Sequence, residues 1–114
     1  MMHAEHEVIL ATGVAEALRE LERPDIVLMM LDVDLPVEAG LGLARTAAEK
    51  YPRVALVVVT GIDDPRVSRC AHELGVYGYL TKPLNTSGIL LTITNALRQR
   101  ELEMLCGRWA TPKG

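Results

Sequence analysis

The sequence predicts an α/β domain with a parallel β-sheet that is covered by helices on both faces. Four short apolar runs, rich in β-branched or aliphatic residues, lie at residues 8–10, 26–31, 55–59 and 77–80. Runs of this kind are typical of strands that are buried on both faces. The segments between them have helical spacing of apolar residues. The order βαβαβαβα predicts a parallel sheet, because parallel neighbours need right-handed crossover connections.

Helix boundaries follow from prolines, glycines and capping residues. The third helix is expected to begin at Pro65, which suits a first turn, and to end before Gly75. The fourth helix is expected to begin after Pro83 and to continue to about Leu105. Asn85, Thr86 and Ser87 are its candidate caps. The first two helices are predicted from apolar faces, at Val14, Ala17, Leu18 and Leu21 and at Leu41, Leu43, Ala44, Ala47 and Ala48.

Length and composition favour one cytoplasmic domain. A chain of 114 residues fits a single core, and we expect a flexible N-terminus at residues 1–6, the domain at 7–105 and a tail at 106–114. A net charge of −3 without a basic cluster argues against nucleic acid as a partner. The longest apolar run, residues 26–31, is too short for a membrane helix. Cys70 and Cys106 do not suggest a disulfide framework, as expected in a reducing compartment.

Polar side chains follow three of the predicted strands. Asp32 follows the second apolar run, Thr60 the third and Lys82 the fourth. Functional groups of a parallel sheet gather at the carboxyl ends of its strands, so a carboxylate, a hydroxyl and an ammonium are expected at one edge. A carboxylate can attack phosphorus, and the other two groups can bind phosphoryl oxygens. Polar residues at strand ends also occur without any function, and only the combination of the three points to chemistry.

Three segments resemble the receiver domain of two-component response regulators, over roughly residues 7–105. Residues 31–36 (LDVDLP), with Gly40, resemble its phospho-acceptor segment. Residues 57–61 (VVVTG) resemble the segment that ends in the switch hydroxyl, and residues 75–84 (GVYGYLTKPL) resemble the lysine segment. The resemblance implies a flavodoxin-like (CheY-like), doubly wound fold.

The same resemblance implies a role for each site residue. Asp32 would accept the phosphoryl group, and Thr60 and Lys82 would contact it. Tyr79 would be the switch aromatic that turns inward on activation, and the peptide bond before Pro83 would be cis.

The resemblance also implies differences from a complete receiver, which opens with a strand that ends in two adjacent acidic residues that hold Mg²⁺. Residues 6–21 resemble the second strand and helix of the family, so the first strand, the first helix and the acidic pair are expected to be missing. Mg²⁺ would then depend on Asp32 and the backbone of Asp34, whose carboxylate could also lie at the rim of the site. Asp63 and Asp64 are interpreted as capping residues of the next helix. The family's strand order is 2-1-3-4-5, and without the first helix we expect exposed apolar surface near Leu90, Ile93 and Leu97.

Two functions remain open from the sequence. The first is a receiver-like phosphoprotein of two-component (phosphorelay) signal transduction that takes a phosphoryl group on Asp32 from a histidine kinase or phosphotransfer protein. Its enzymatic activity would be limited to self-phosphorylation and dephosphorylation. The alternative is a degenerate, non-phosphorylated receiver that serves as a protein-interaction or dimerisation module, including a homodimer. A third interpretation is that the chain is a fragment of a longer reading frame.

Overall fold

The computed structural model describes residues 13–34, 37–61 and 64–107. The strand predicted at residues 8–10, the predicted N-terminus at residues 1–6 and residues 108–114 of the predicted tail lie outside these ranges. The described residues form helices α1 (Val14–Leu21), α2 (Val37–Lys50), α3 (Pro65–Leu74) and α4 (Thr86–Leu105), and strands β1 (Leu28–Asp32), β2 (Ala55–Thr60) and β3 (Gly78–Thr81).

The described strands form one parallel sheet in the order β1-β2-β3. Leu28 pairs with Ala55 at one end of the β1-β2 ladder, and Thr60 pairs with Thr81 at the end of the β2-β3 ladder. β2 is therefore paired on both edges, and all six of its residues are buried. The order agrees with the last three positions of the expected arrangement, and the predicted α/β fold is confirmed.

Helices cover both faces of this sheet because successive side chains of a strand point to opposite sides. Leu56 and Val58 belong to one apolar cluster with residues of α1, α2 and α3. Val57 belongs to a second cluster, on the other face, with Ala96 of α4. The near-continuous apolar run at residues 55–59 is thus explained by burial on both sides.

Helix boundaries agree closely with the sequence prediction because their caps are local. Asp64 caps α3 by accepting a hydrogen bond from the Arg66 N–H at 2.9 Å. Gly75 follows the helix with φ of +67°, a left-handed conformation that favours glycine. Asn85 caps α4 by accepting from the Gly88 N–H at 2.7 Å.

The strand predicted at residues 26–31 begins later than expected. β1 starts at Leu28, where its ladder with Ala55 starts, and extends through Asp32. Its register with β2 is continuous from Leu28 to Asp32, so Ile26 and Val27 of the predicted strand lie in the connection before it. Apolar character alone could not place this boundary, because Ile26 packs against the core without being part of the strand.

α4 has exposed leucines in its N-terminal half. All 20 residues of this helix are described, and among them Ala96 alone is fully buried. Leu90 is exposed, as expected, whereas Ile93 and Leu97 are half-buried; the adjacent Leu91 is exposed as well. The surface formed by Leu90 and Leu91 is called the α4 apolar surface below.

Gly40 brings α2 against the segment that follows β1. A Cβ atom at this position would lie 2.6 Å from the Val33 Cα and 2.8 Å from the Val33 carbonyl oxygen. Both are backbone atoms that cannot rotate away. Since Val33 is fully buried and lies between Asp32 and Asp34, this contact also fixes the two aspartates.

We expect Gly40→Ala to lower the free energy of unfolding by about 1–3 kcal/mol, because the added methyl overpacks this contact. Chemical denaturation measures the change. Gly42→Ala is the matched control, since that glycine is on the same helix and a Cβ atom added to it would meet nothing within 4 Å, and alanine favours a helix there. Equal stability of the two variants would contradict the assigned contact.

Candidate functional site

The carboxyl ends of the three described strands meet at one edge of the sheet. Asp32 ends β1, Thr60 ends β2 and Lys82 directly follows β3. The Lys82 N–H donates to the Thr60 carbonyl oxygen at 2.9 Å, and the Lys82 Nζ lies 2.8 Å from Asp32 Oδ2. The structure therefore brings the three predicted site residues together, as their positions after parallel strands require.

Asp34 places a second carboxylate at the centre of this group. The Thr60 hydroxyl donates to Asp34 Oδ1 at 2.7 Å, and the Gly61 N–H donates to Oδ2 at 2.8 Å. Lys82 Nζ also donates to Oδ2, at 3.2 Å. The sequence prediction gave Asp34 a role through its backbone, with its carboxylate at most at the rim of the site, so it missed the contacts of this side chain with Thr60 and Gly61.

Alternation along an extended chain explains why both aspartates reach the site. Val33 donates its N–H to the Val59 carbonyl oxygen at 3.0 Å and is fully buried. Residues on either side of a residue that points inward project together towards the other side. The spacing of Asp32 and Asp34 around an apolar residue was the signal in the sequence that could have indicated their shared position.

The two carboxylates differ in exposure. The Asp34 side chain is 11% exposed, whereas the Asp32 side chain is 43% exposed. Asp32 also accepts a hydrogen bond from the Asp34 N–H at 3.0 Å, which orients its carboxylate beside the inner one. Asp32 is thus the carboxylate that a reagent in solution can reach.

The glycine after β2 and the proline after Lys82 shape the local backbone. A Cβ on Gly61 would lie 3.2 Å from Lys82 Cδ and 3.3 Å from Lys82 Cβ, so a larger residue there would crowd the Lys82 side chain. The peptide bond between Lys82 and Pro83 is cis.

The hydrogen bonds of the site shift two pKa values. The Thr60 hydroxyl, followed by the Gly61 N–H and then Lys82, lowers the pKa of the Asp34 carboxyl below its usual value. Hydrogen bonds to Asp32 and then to Asp34 raise the pKa of Lys82. Both shifts favour the charged forms, so the Lys82 ammonium faces the Asp34 carboxylate as an ion pair.

Tyr79 is on the exposed side of β3. Its side chain lines a shallow groove next to α3 together with Ser68, Ala71, His72, Gly75 and Val76. The residue as a whole is 41% exposed. Its predicted inward movement remains a prediction.

The described residues do not fit a Mg²⁺ site well. Among them there is no group of three or more acidic, histidine or cysteine side chains that could hold a metal ion. The Asp34 carboxylate is already hydrogen-bonded at both oxygens, and Asp64 is paired with Arg66. Asp63 lies outside the described residues. Binding of Mg²⁺ by Asp32 and the backbone of Asp34 therefore remains a prediction, and these two ligands alone do not make a complete site.

Comparison with known proteins identifies the family. The sequence profile described as the response regulator receiver domain matches residues 2–94 of the chain. The chain belongs to the response regulator receiver domain family. Receiver domains typically bind Mg²⁺ at an acidic site.

Relatives of this receiver domain are longer proteins. The aerobic respiration control protein ArcA of Escherichia coli (strain K12) is 36% identical over 92 residues, which cover 81% of this chain and 38% of that protein. The chain spans less than half the length of the curated relatives that it matches first.

Solved structures share the fold of this receiver domain. A receiver domain protein from Clostridium thermocellum matches with a TM-score of 0.76 and 26% identity, covering 84% of this chain and 78% of that one. A response regulator from Burkholderia pseudomallei, described with a phosphorylated aspartic acid, a calcium ion and citrate, matches with a TM-score of 0.60 and 28% identity. That match covers 80% of this chain and 54% of the other.

The described helices of this receiver domain include none with the length and apolar character needed to cross a membrane.

We expect Thr60→Val to raise the pKa of Asp34 towards its ordinary value of 3.8, because the substitution removes the first of its hydrogen-bond donors and keeps the side-chain shape. A ¹³C NMR titration of the aspartate carboxyl carbons measures this pKa. A lowered folded-state pKa stabilises the fold above the unfolded-state value, and that stabilisation is lost as the pH falls through the folded pKa. The wild type should therefore lose more stability than Thr60→Val as the pH falls below about 3.8.

Asp25 provides the internal control for this titration. Its pKa is lowered by Arg23, outside the site, and should be the same in both proteins. An Asp34 pKa that does not respond to Thr60→Val would show that the hydroxyl contact is absent in solution.

Proposed function

We propose that this receiver domain is a phospho-acceptor of two-component signal transduction and that Asp32 takes the phosphoryl group. The observation that carries the proposal is the position of Asp32. Its carboxylate is 43% exposed, contacts Lys82 at 2.8 Å and lies at the same sheet edge as the Thr60 hydroxyl. The phosphorylated aspartate described for the Burkholderia pseudomallei regulator supports the same chemistry in a relative.

The reaction transfers a phosphoryl group from a phosphohistidine donor. A carboxylate oxygen of Asp32 forms the new O–P bond while the N–P bond of the donor breaks, and the imidazole that leaves takes up a proton. The Lys82 ammonium is close enough to neutralise charge that develops on the phosphoryl oxygens. The partner is a histidine kinase or a phosphotransfer protein, and the domain acts in the cytoplasm without nucleic acid or membrane as a partner.

Treatment of the folded wild type with acetyl phosphate and Mg²⁺ should add one phosphoryl group, because Asp32 is the accessible carboxylate of the site. Intact-mass spectrometry of freshly treated protein measures the addition. Asp32→Asn should show none, since an amide is not a nucleophile of this kind. Asp64→Asn, which alters a carboxylate in the loop after β2, should react like the wild type.

Addition of the group to Asp32→Asn would place the modification elsewhere and refute this assignment. Absence of the group from a wild type shown to be folded by circular dichroism would refute phosphorylation of the chain under these conditions.

A second candidate function is supported by the α4 apolar surface. Leu90 and Leu91 are 59% and 63% exposed and adjacent in sequence. Exposed apolar surface of this kind marks interaction sites when it forms a continuous patch. We propose as the alternative that the domain is a non-phosphorylated module that pairs with a second copy through α4.

If this alternative is correct, the wild type should self-associate, and Leu90→Ser with Leu91→Ser should weaken the association, because the substitutions remove apolar area from the interface. Sedimentation velocity over a range of concentrations measures the equilibrium. Val14→Ser is the control, because Val14 is an exposed apolar residue (43%) on α1, outside the proposed interface. A wild type that stays monomeric at all concentrations would exclude homodimerisation through this surface.

A further inference from the structure

The Asp34 carboxylate is bound by Thr60 and Lys82, the two residues expected to contact a phosphoryl group on Asp32, and by the adjacent Gly61 N–H. It accepts hydrogen bonds from the Thr60 hydroxyl, the Gly61 N–H and the Lys82 ammonium, at 2.7, 2.8 and 3.2 Å. We propose that Asp34 is an internal anionic occupant of the phosphoryl pocket and that its carboxylate must leave before Asp32 can hold a phosphoryl group. The inference rests on the proposed function of Asp32, since it concerns regulation of the same site.

The hydrogen-bond donors cannot serve both anions at once. A hydroxyl and a backbone N–H each supply a single hydrogen, and both of those hydrogens are directed to Asp34. Lys82 is shared between Asp34 and Asp32. A phosphoryl group on Asp32 would therefore find its neighbouring donors engaged.

Charge adds to this competition. A phosphoryl group carries a charge of about −1.5 to −2 near neutral pH, and the Asp34 carboxylate is next to the acceptor and only 11% exposed. In the present site, Lys82 faces two carboxylates. Phosphorylation would increase the negative charge around this single ammonium unless Asp34 turned outward.

The backbone near Asp34 is held by contacts that do not involve its carboxylate. The Val33 N–H donates to Val59, and Gly40 packs on the Val33 backbone. The Asp34 N–H donates to Asp32 Oδ1 and would do so with any non-proline residue at position 34. These contacts remain without the Asp34 carboxylate, so its removal should leave the fold intact, although less stable at neutral pH.

The test compares the initial rates at which the wild type, Asp34→Ala and Asp34→Asn gain a phosphoryl group from acetyl phosphate with Mg²⁺, by intact mass. Loss of hydrogen bonds to a charged group typically changes an equilibrium by about tenfold or more, so we expect Asp34→Ala to react at least about tenfold faster than the wild type. Asp34→Asn keeps an oxygen that accepts hydrogen bonds but has no charge, and should react at an intermediate rate. Asp25→Ala removes an exposed, ion-paired aspartate outside the site and should not change the rate.

The ¹H amide shift of Gly61 reports on the pocket without any phosphodonor. In the wild type its N–H donates to a carboxylate, so Asp34→Ala should move this resonance upfield. Phosphorylation of Asp34→Ala should move it downfield again, because a phosphoryl oxygen takes the place of the carboxylate.

The outcomes separate this inference from the proposed function. Equal or slower phosphorylation of Asp34→Ala, with the group still on Asp32, would overturn the inference and leave the proposed function standing. A Gly61 resonance that does not respond to Asp34→Ala would overturn it as well. If no variant gains the group, the proposed function fails and the inference fails with it. Should circular dichroism show that Asp34→Ala is unfolded, the isosteric Asp34→Asn gives the same comparison.

Discussion

Every residue of β2 is buried, and its alternate side chains contact different helical layers on the two faces of the sheet. A strand in this position has no polar face, so its backbone must be satisfied by parallel neighbours on both edges. Parallel pairing then aligns the carboxyl ends of all three strands. Asp32, Thr60 and Lys82 therefore lie at one edge of the sheet because β2 is buried on both faces and paired with a parallel strand on each side.

Packing next to the sheet determines how the acidic side chains enter the site. Val33 is buried and bonded to β2, while the glycine at position 40 allows α2 to approach its backbone. The aspartates on either side of Val33 are consequently held on the opposite side, next to Lys82. Core packing and site electrostatics are therefore linked through a single apolar residue.

The sequence was sufficient to predict the α/β class, candidate caps for two helices and the three residues that meet at the sheet edge, because these depend on local patterns and on the geometry of parallel strands. The caps at Asp64 and Asn85 need only neighbouring backbone N–H groups. The predicted start of β1 was wrong because a ladder is set by its partner strand, which no local pattern contains. The contacts of Asp34 were missed for the same reason, since its donors Thr60 and Gly61 are distant in sequence.

Asp32 and Asp34 carry the same chemical group but differ in exposure and in hydrogen-bond partners. Asp32 has the exposure that a nucleophile needs, whereas Asp34 has the donors that an anion needs. The inner carboxylate is bound by three donors, whereas the outer one shares Lys82 with it and accepts from the Asp34 N–H. Phosphoryl transfer to Asp32 would place an anion within reach of the donors that Asp34 now uses. Under the proposed function, phosphorylation of Asp32 would therefore also depend on the inner carboxylate.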